Sequence, residues 1–435
     1  MLKNVKNFIR PLIPKSLFKA LQPVYHGLAA TTAGWYYGNP SSELKVIGVT
    51  GTAGKSTTVM MLAHILNKTG HKTGYITTVG NFDGSTPIVN KQGLSMPAGS
   101  LIQKNLRDYL DKGCKFAVIE ATSEGLAQNR HHGINFTGAL FTNLSPAHID
   151  SHGSFEKYRA AKGKLFASVN KSGVIGANTD DPNYQYFLNF SSSKKFGTST
   201  REDKIAQTSV PVLRAENIIV SETGLGFEVE MNKFHLNLKG SFNISNALLA
   251  IGMAQFFGVS LAESSRALES FGTVPGRMET IPNNKQFTVI VDYAPEPKPL
   301  EESLRAAQLI EHNKLIHVFG ATGGHRDVDK RFEFGKISAQ FADTIIITND
   351  DVYDSDPHEI AQNIQEGIKE AGPNKKVQKV MVELDRKAAI EKAVAVAKPG
   401  DLILITGKGS EQFLVLPGDK RISWDDRQIV KELLN

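Results

Sequence analysis

Along this chain, short apolar runs alternate with stretches in which apolar residues recur at helical spacing. Val46-Ile47-Gly48-Val49 is one such run. Behind it Val59, Leu62, Ala63 and Leu66 fall at i, i+3, i+4 and i+7, and Gly70 stops the pattern. The pairing recurs downstream, and each run ends in polar or glycine residues. Phe116-Ala117-Val118-Ile119 meets Glu120, Ala139-Leu140-Phe141-Thr142 meets Asn143, and Val289-Ile290-Val291 meets Asp292. Leu315-Ile316-His317-Val318-Phe319 runs into the glycine-rich stretch 320–324, Ile345-Ile346-Ile347 into Asn349-Asp350-Asp351, and Leu402-Ile403-Leu404-Ile405 into Gly407-Lys408-Gly409. Helical patterns over 245–257, 298–310 and 386–397 lie between them. Strands that are apolar throughout need cover on both faces, so the pattern predicts an α/β fold with mostly parallel sheets. In such sheets ligands collect at the carboxyl ends of the strands, where these polar residues fall. Residues 191–205, rich in Ser, Thr and Lys, read as a surface loop, and GTVPGRMET (272–280) reads as a hinge between two α/β units.

A length of 435 residues implies two or three domains, and 40% hydrophobic with 22% charged residues describes a globular protein with ample core. The net charge of +6 suits polyanionic nucleotides. With no long Lys/Arg run and no aromatic–basic interleaving, nucleic acid is not expected as a partner. A single cysteine, Cys114, excludes an internal disulfide and a Cys-rich zinc site, which fits a reducing cytoplasm. No apolar stretch reaches transmembrane length, and Pro11, Pro14 and Lys15 interrupt any signal-peptide core. The head is nonetheless basic. Lys3, Lys6, Arg10, Lys15 and Lys19 precede the first acidic residue, Glu43, and Phe8, Ile9, Leu12, Ile13, Leu17, Phe18 and Leu21 are interspersed. A helical segment packed on the main body is the preferred reading, and peripheral membrane contact through residues 1–24 is the other.

The candidate chemistry begins at Thr50-Gly51-Thr52-Ala53-Gly54-Lys55-Ser56, between the first strand and the first helix. Its glycines let backbone N–H groups turn toward an anion at a helix N-terminus. Lys55 would reach the outer phosphates of a nucleotide and the Ser56 hydroxyl would ligate magnesium. The strict phosphate-loop template would need glycine at position 49, which is Val49, so this is a variant loop. A second patch, TNLSPAHIDSHGSFEKYRAAKGKLF (142–166), holds His148, Asp150 and His152, with Lys162 on a helix starting near Ser154. The histidine spacing falls in a loop without a further zinc ligand. Magnesium, which takes oxygen ligands and tolerates one imidazole, fits Glu120 and His148 better.

The segments TGTAGKST, IEATSEGL, NLSPAHIDSHGSFEKYRAAK, GSFNISNALLA, VPGRME, VDYAPEP, GATGGHRDVDKR and GKGSE occur in this order. Together they resemble the Mur ligase family, most closely its UDP-N-acetylmuramoyl-tripeptide synthetase branch, over about residues 34–427. The resemblance implies a central P-loop ATPase domain over 45–274 and a C-terminal Rossmann-like amino-acid-binding domain over 275–435. Residues 1–44 would be a truncated form of the UDP-binding N-terminal domain. It further implies a cytoplasmic, monomeric, ADP-forming ligase that adds an amino acid to a muramoyl-peptide-type acceptor in peptidoglycan synthesis, through an acyl phosphate. Thr52, Gly54, Lys55, Ser56 and Thr57 would hold the triphosphate, Asn243 and Asn246 would lie near the adenine, Arg277 would contact phosphate and Asp292 the ribose. Ser56, Glu120, His148 and a carbamylated Lys162 would hold two magnesium ions, and Lys55, His148, Lys162 and Arg277 would be catalytic. Ser95 and Met96 would meet the acceptor, and Tyr353, Gly407 and Glu411 the amino acid.

The sequence departs from the family pattern at Ala53, at Pro295, at Ser95-Met96-Pro97 and at Asp350-Asp351-Val352-Tyr353. In the last, Tyr353 replaces an arginine of the diaminopimelate-adding enzymes. Asp350, Asp351, Asp354 and Asp356 around it predict a preference for lysine or another diamine. Two alternatives stand beside the main reading. One is a glutamate ligase resembling folylpolyglutamate synthase. The other is a non-catalytic nucleotide-binding subunit, against which Lys55, Glu120, His148 and Lys162 argue.

Overall fold

Residues 15–90, 93–146, 149–202, 208–324, 328–373 and 375–434 are described by a computed structural model. The first apolar run becomes β1 (Lys45–Thr50), the centre of a nine-stranded sheet. Its other strands are β2 (Thr73–Ile76), β3 (Gly80–Phe82), β4 (Pro87–Val89), β5 (Phe116–Glu120), β6 (Phe136–Phe141), β7 (Val169–Asn178), β8 (Lys194–Ser199) and β9 (Val212–Arg214). They lie in the order β4-β3-β2-β5-β1-β6-β7-β8-β9, antiparallel at the β2-β3-β4 edge and parallel elsewhere. Alternate residues of β1 feed two cores. Ile47 and Val49 pack with Leu62 and Leu66 of helix Lys55–Lys68 and with Leu248 of helix Phe242–Phe256. Val46 packs with Leu106 of helix Gly99–Asp111 and Leu165 of helix Phe155–Ala167. Gly48 is required by that second layer, since a Cβ there would lie 2.4 Å from a methyl carbon of Leu165.

The expected surface loop over 191–205 is corrected. Lys194–Ser199 is β8, paired on both sides, and Phe196, Gly197, Thr198 and Ser199 are buried. Phe196 packs its ring, tilted, 5.3 Å from that of Phe256, which the polar composition around it conceals. Beyond β9 comes an unanticipated antiparallel sheet of β10 (Glu216–Ser221), β11 (Gly224–Val229) and β12 (Asn232–Leu236). Its second turn holds Glu230 and Met231 at φ 47° and 66°, the paired positive values that a two-residue hairpin turn needs.

After the segment 272–278 the chain builds a six-stranded sheet. It comprises β13 (Glu279–Thr280), β14 (Thr288–Val291), β15 (Leu315–Phe319), β16 (Thr344–Ile347), β17 (Lys379–Val382) and β18 (Leu402–Ile405), in the order β13-β14-β18-β15-β16-β17. All its pairs are parallel except β13-β14. A hairpin of β19 (Phe413–Leu416) and β20 (Lys420–Ser423) follows. The expected helices appear as Phe242–Phe256, Pro297–Gln308 and Arg386–Val396.

Ahead of β1, helix Lys15–Tyr36 packs on helix Gly99–Asp111, as the preferred reading of the head expects. The remainder of the head, 1–14, lies outside the described residues. No helix among the described residues is long and apolar enough to cross a membrane.

Candidate active site

The carboxyl ends of the two parallel sheets border one cleft of about 880 Å³. Thr52, Gly54, Lys55, Ser56, Thr57, Ser95, Met96, Glu120, Lys162, Asn243, Asn246, Arg277, Asp292, Tyr353, Gly407 and Glu411 all line it. The fold therefore brings together every site residue expected from the sequence except His148, which lies outside the described residues.

The loop after β1 is held from outside as well as by its glycines. Thr52 N–H donates to Asn143 O at 2.8 Å, Ala53 N–H to Asn143 Oδ1 at 3.0 Å, and the Thr142 hydroxyl to Ala53 O at 2.6 Å. Thr142 and Asn143 open the patch 142–166 that the sequence singles out, but no role for either follows from the sequence. Gly54 is the N-cap of helix Lys55–Lys68 at φ 80°, and a Cβ on it would lie 2.2 Å from Asn246 Oδ1. Asn246 therefore sits against the phosphate loop itself, and its side-chain amide donates to Asn243 Oδ1 at 3.0 Å. Lys55 Nζ donates to Thr52 O at 2.9 Å and stands 4.0 Å from Glu120 Oε1. Burial pushes its pKa down, the Glu120 charge opposes this, and Arg277 across the cleft adds to the depression. A group so placed gains from an incoming polyanion.

Glu120, at the end of β5, is the hub of the central side. Its Oε2 accepts from the Ser56 hydroxyl at 2.6 Å and from Thr78 N–H at 2.9 Å, while the Thr78 hydroxyl lies 2.9 Å from Oε1. Thr78 also reaches the Ser95 hydroxyl at 2.5 Å, which ties the carboxylate to the Ser95-Met96 segment. No motif had marked Thr78. Lys162 is fully enclosed on helix Phe155–Ala167, whose N-cap is Ser154 as expected. Its Nζ donates to Gly51 O at 2.7 Å and lies 4.5 Å from the centroid of the Tyr158 ring. Burial, and then the neighbouring Lys55 charge, push its pKa well below the usual lysine value, with Glu120 opposing. Among the described residues no group of three or more His, Cys, Asp or Glu is placed to hold a metal. The donors at hand, Ser56 and Glu120, are oxygens, which is the chemistry magnesium takes when substrate phosphates complete its shell. Asp150 lines the cleft, whereas His152 Nε2 is engaged 3.1 Å from Ser123 Oγ.

On the opposite wall, Arg277 lies 4.4 Å from the Tyr293 ring centroid, and its Nη1 donates to Gly276 O at 3.0 Å. Asp292 accepts from Met278 N–H at 3.0 Å and from the Ser303 hydroxyl, so it anchors the hinge segment to β14. Glu296 and Lys330, neither singled out in the sequence, form a buried ion pair at 3.3 Å and also line the cleft.

The acidic corner near Tyr353 is corrected. Asp351 and Glu411 are bound by the chain's own Lys408, at 2.8 and 2.5 Å, and Asp350 is 3.8 Å from the same ammonium. Asp356 instead caps helix Pro357–Glu370 by accepting from His358 N–H at 2.9 Å. The cluster already holds an internal amine, so it gives no reason to prefer a lysine substrate. Arg421 of β20 lines the same end of the cleft, 4.7 Å from the Phe413 ring centroid. Behind this corner Arg386 donates to Asn349 O at 3.1 Å and Thr406 O at 2.8 Å, which holds the ends of β16 and β18 together.

Fold and site define a class: a two-unit α/β nucleotide enzyme with its chemistry in the cleft between the sheets. Comparison with known proteins carries this further. The Mur ligase middle domain matches residues 49–254, and the Mur ligase glutamate ligase domain matches 276–409. A UDP-N-acetylmuramoyl-L-alanyl-D-glutamate--2,6-diaminopimelate ligase of Clostridium botulinum is 36% identical over 407 residues, 92% of this chain and 80% of that protein. A solved structure of a ligase of the same name has a TM-score of 0.60 at 27% identity and covers 94% of this chain and 82% of its own. A Mycobacterium tuberculosis folylpolyglutamate synthase reaches a TM-score of 0.66, covering 88% of this chain and 92% of its own, but at 19% identity it speaks for the fold alone. The chain belongs to the Mur ligase family. It is an ATP-dependent, ADP-forming acid–amino-acid ligase of peptidoglycan synthesis.

Proposed function

We propose that this chain joins a diamino dicarboxylic acid of the 2,6-diaminopimelate type to the free carboxylate of a muramoyl-peptide acceptor. One observation carries the reading. The phosphate loop, the Glu120–Lys162 pocket, the Ser95-Met96 segment and a corner of mixed charge share a single cleft. The triphosphate lies on the loop N–H groups at the start of helix Lys55–Lys68. Lys55 turns from Thr52 O to the outer phosphates, and Arg277 meets them from the opposite wall. Asn243 and Asp292 place the nucleoside end, and Asn246 backs the phosphate loop. Ser56, Glu120, His148 and a carbamate on Lys162 would hold two magnesium ions, which when bound neutralise phosphate charge. Lys162 suits that modification, because burial shifts its nitrogen toward the neutral form and only the neutral amine adds carbon dioxide.

In the first step an acceptor carboxylate oxygen bonds to the terminal phosphorus and ADP leaves. In the second the amine nitrogen bonds to the acyl carbon and phosphate leaves. Lys55 and Arg277 are the chain's own cations at the charge that develops. The relatives' amino acid carries a distal carboxylate and a distal ammonium. Arg421, which lines the cleft, suits the carboxylate. In this reading 45–274 is the ATP-binding unit, 275–435 the amino-acid unit and 1–44 the segment ahead of them. The chain works as a cytoplasmic monomer, with peripheral membrane contact at the head.

The test is phosphate release and product mass with a muramoyl-dipeptide acceptor and each common amino acid. Diaminopimelate should be ligated fastest, and Arg421→Met should erase its advantage over lysine. Faster lysine ligation by the unaltered protein would overturn the choice of amino acid.

A further inference from the structure

Helix Lys15–Tyr36 is built inside out for a helix in water. The residues it turns inward are small: Gly27, Ala30 and Gly34 are buried. The approach is close, since a Cβ on Gly27 would lie 3.0 Å from His132 Nδ1, and the Asn129 amide donates to Pro23 O at 3.3 Å. The residues it turns outward are large and apolar: Leu21, Val24, Tyr25, Leu28, Trp35 and Tyr36. Their spacing of i, i+3, i+4, i+7, i+14 and i+15 makes one stripe about 22 Å long. Leu28 is 63% exposed, Trp35 71% and Tyr36 82%. An amphipathic helix on a protein surface puts polar and charged residues on this face. Here the sequence has no Asp, Glu, Lys or Arg from 20 to 42.

We infer that this stripe docks the protein on an anionic lipid surface. Charge favours lipid over a protein partner, because residues 1–42 carry five basic side chains and no acidic one. The end of the stripe agrees, since Trp35 and Tyr36 are ring systems that settle at headgroup level. The helix is not apolar enough to span a bilayer, so it lies along the interface. Its position also relates to the cleft. Its inner face meets the segment 129–133, in which Arg130 lines the cleft and donates to Met96 O at 2.5 Å. The Ser95-Met96 end is then linked to the lipid-facing helix through the segment 129–133. This deepens the peripheral-contact reading above by naming the surface and the residues that meet it, yet it does not depend on the ligase chemistry.

The experiment is flotation of the full chain with vesicles of phosphatidylglycerol in phosphatidylcholine, against phosphatidylcholine alone. Binding should be on the order of tenfold stronger to the anionic vesicles and fall with salt. Leu28→Glu with Trp35→Glu should abolish it, while the melting temperature and its rise with ATP stay unchanged, because both side chains point to solvent. Trp35 fluorescence in a Trp424→Phe background should be quenched by brominated lipid. Absent flotation, or flotation that survives the double substitution, would overturn the proposal. So would light scattering that shows a dimer dissolved by the same two changes, since a second copy would then own the stripe. None of these outcomes touches the ligase reading, because no ligation is measured.

Discussion

Lys162 is a lysine whose ammonium form the fold disfavours. Nothing in the string AAKGK distinguishes it from a solvated helix lysine. Burial beside Lys55 does, and this is why its role was legible only through the order of the surrounding motifs. We expect Lys162→Ala to lose turnover by on the order of a hundredfold or more, with partial recovery in a short-chain carboxylic acid that restores the missing anion. Full activity in the folded variant would remove the carbamate from the mechanism. Two histidines give a pH prediction. Burial pushes the pKa of His131 and of His317 down to about 3. His317 lies between the Ser338 hydroxyl at 2.7 Å and the Thr406 hydroxyl at 3.0 Å. Unfolded, each would titrate near 6.5. Above that pH neither state binds the proton and nothing changes. Below it only the unfolded chain does, so stability falls from pH 6.5 toward 3, by about 1.4 kcal/mol per pH unit for each histidine. His317→Gln should remove one share of that slope in denaturant melts at pH 7.5 and 5.5. An unchanged slope would mean that His317 is protonated in the native state.

Among the elements, sequence pattern matches structure where one pattern acts alone and departs from it where packing overrides composition. Helix Phe155–Ala167 and its Ser154 cap follow from local chemistry. Strand β8 does not, because its lysines, serines and threonines are polar. It exists because β7 and β9 offer hydrogen bonds on both sides and Phe196 finds a core. The last helix, Asp426–Leu434, is pinned by a similarly hidden contact. Asp426 meets Arg386 through two hydrogen bonds, at 2.8 and 2.6 Å, and both side chains are fully enclosed. Asp426→Ala would leave a buried guanidinium unpaired and should cost about 3–5 kcal/mol of stability. Since Arg386 also holds Asn349 and Thr406, the KM for the amino acid should rise while that for ATP stays level. A melting curve and paired KM measurements check both halves, and equal shifts in the two KM values would count against a local role.

At the scale of the whole molecule, the cleft has two walls from two sheets, and its lining begins at Gly51. Helix Lys15–Tyr36 therefore gives it no backbone cradle for a uridine diphosphate. UDP alone should compete poorly with a muramoyl-peptide acceptor, and UDP inhibition as strong as the acceptor's own binding would reveal a site that the described residues do not form. The sequence by itself determined the alternation of strands and helices, the phosphate loop and the family, because apolar periodicity, glycine placement and ordered motifs are local properties of the chain. Only the tertiary structure decided what the charges do. Asp350, Asp351, Asp354 and Asp356 look like a lure for an amine when read in a row. Yet Lys408, more than fifty residues away, occupies the cluster through Asp351. Glu120 likewise depends on Thr78, just past the end of β2, and on Ser56 in the first turn of helix Lys55–Lys68. Electrostatic partners are set by distance in space, and that distance is fixed when each sheet brings the ends of its own strands together.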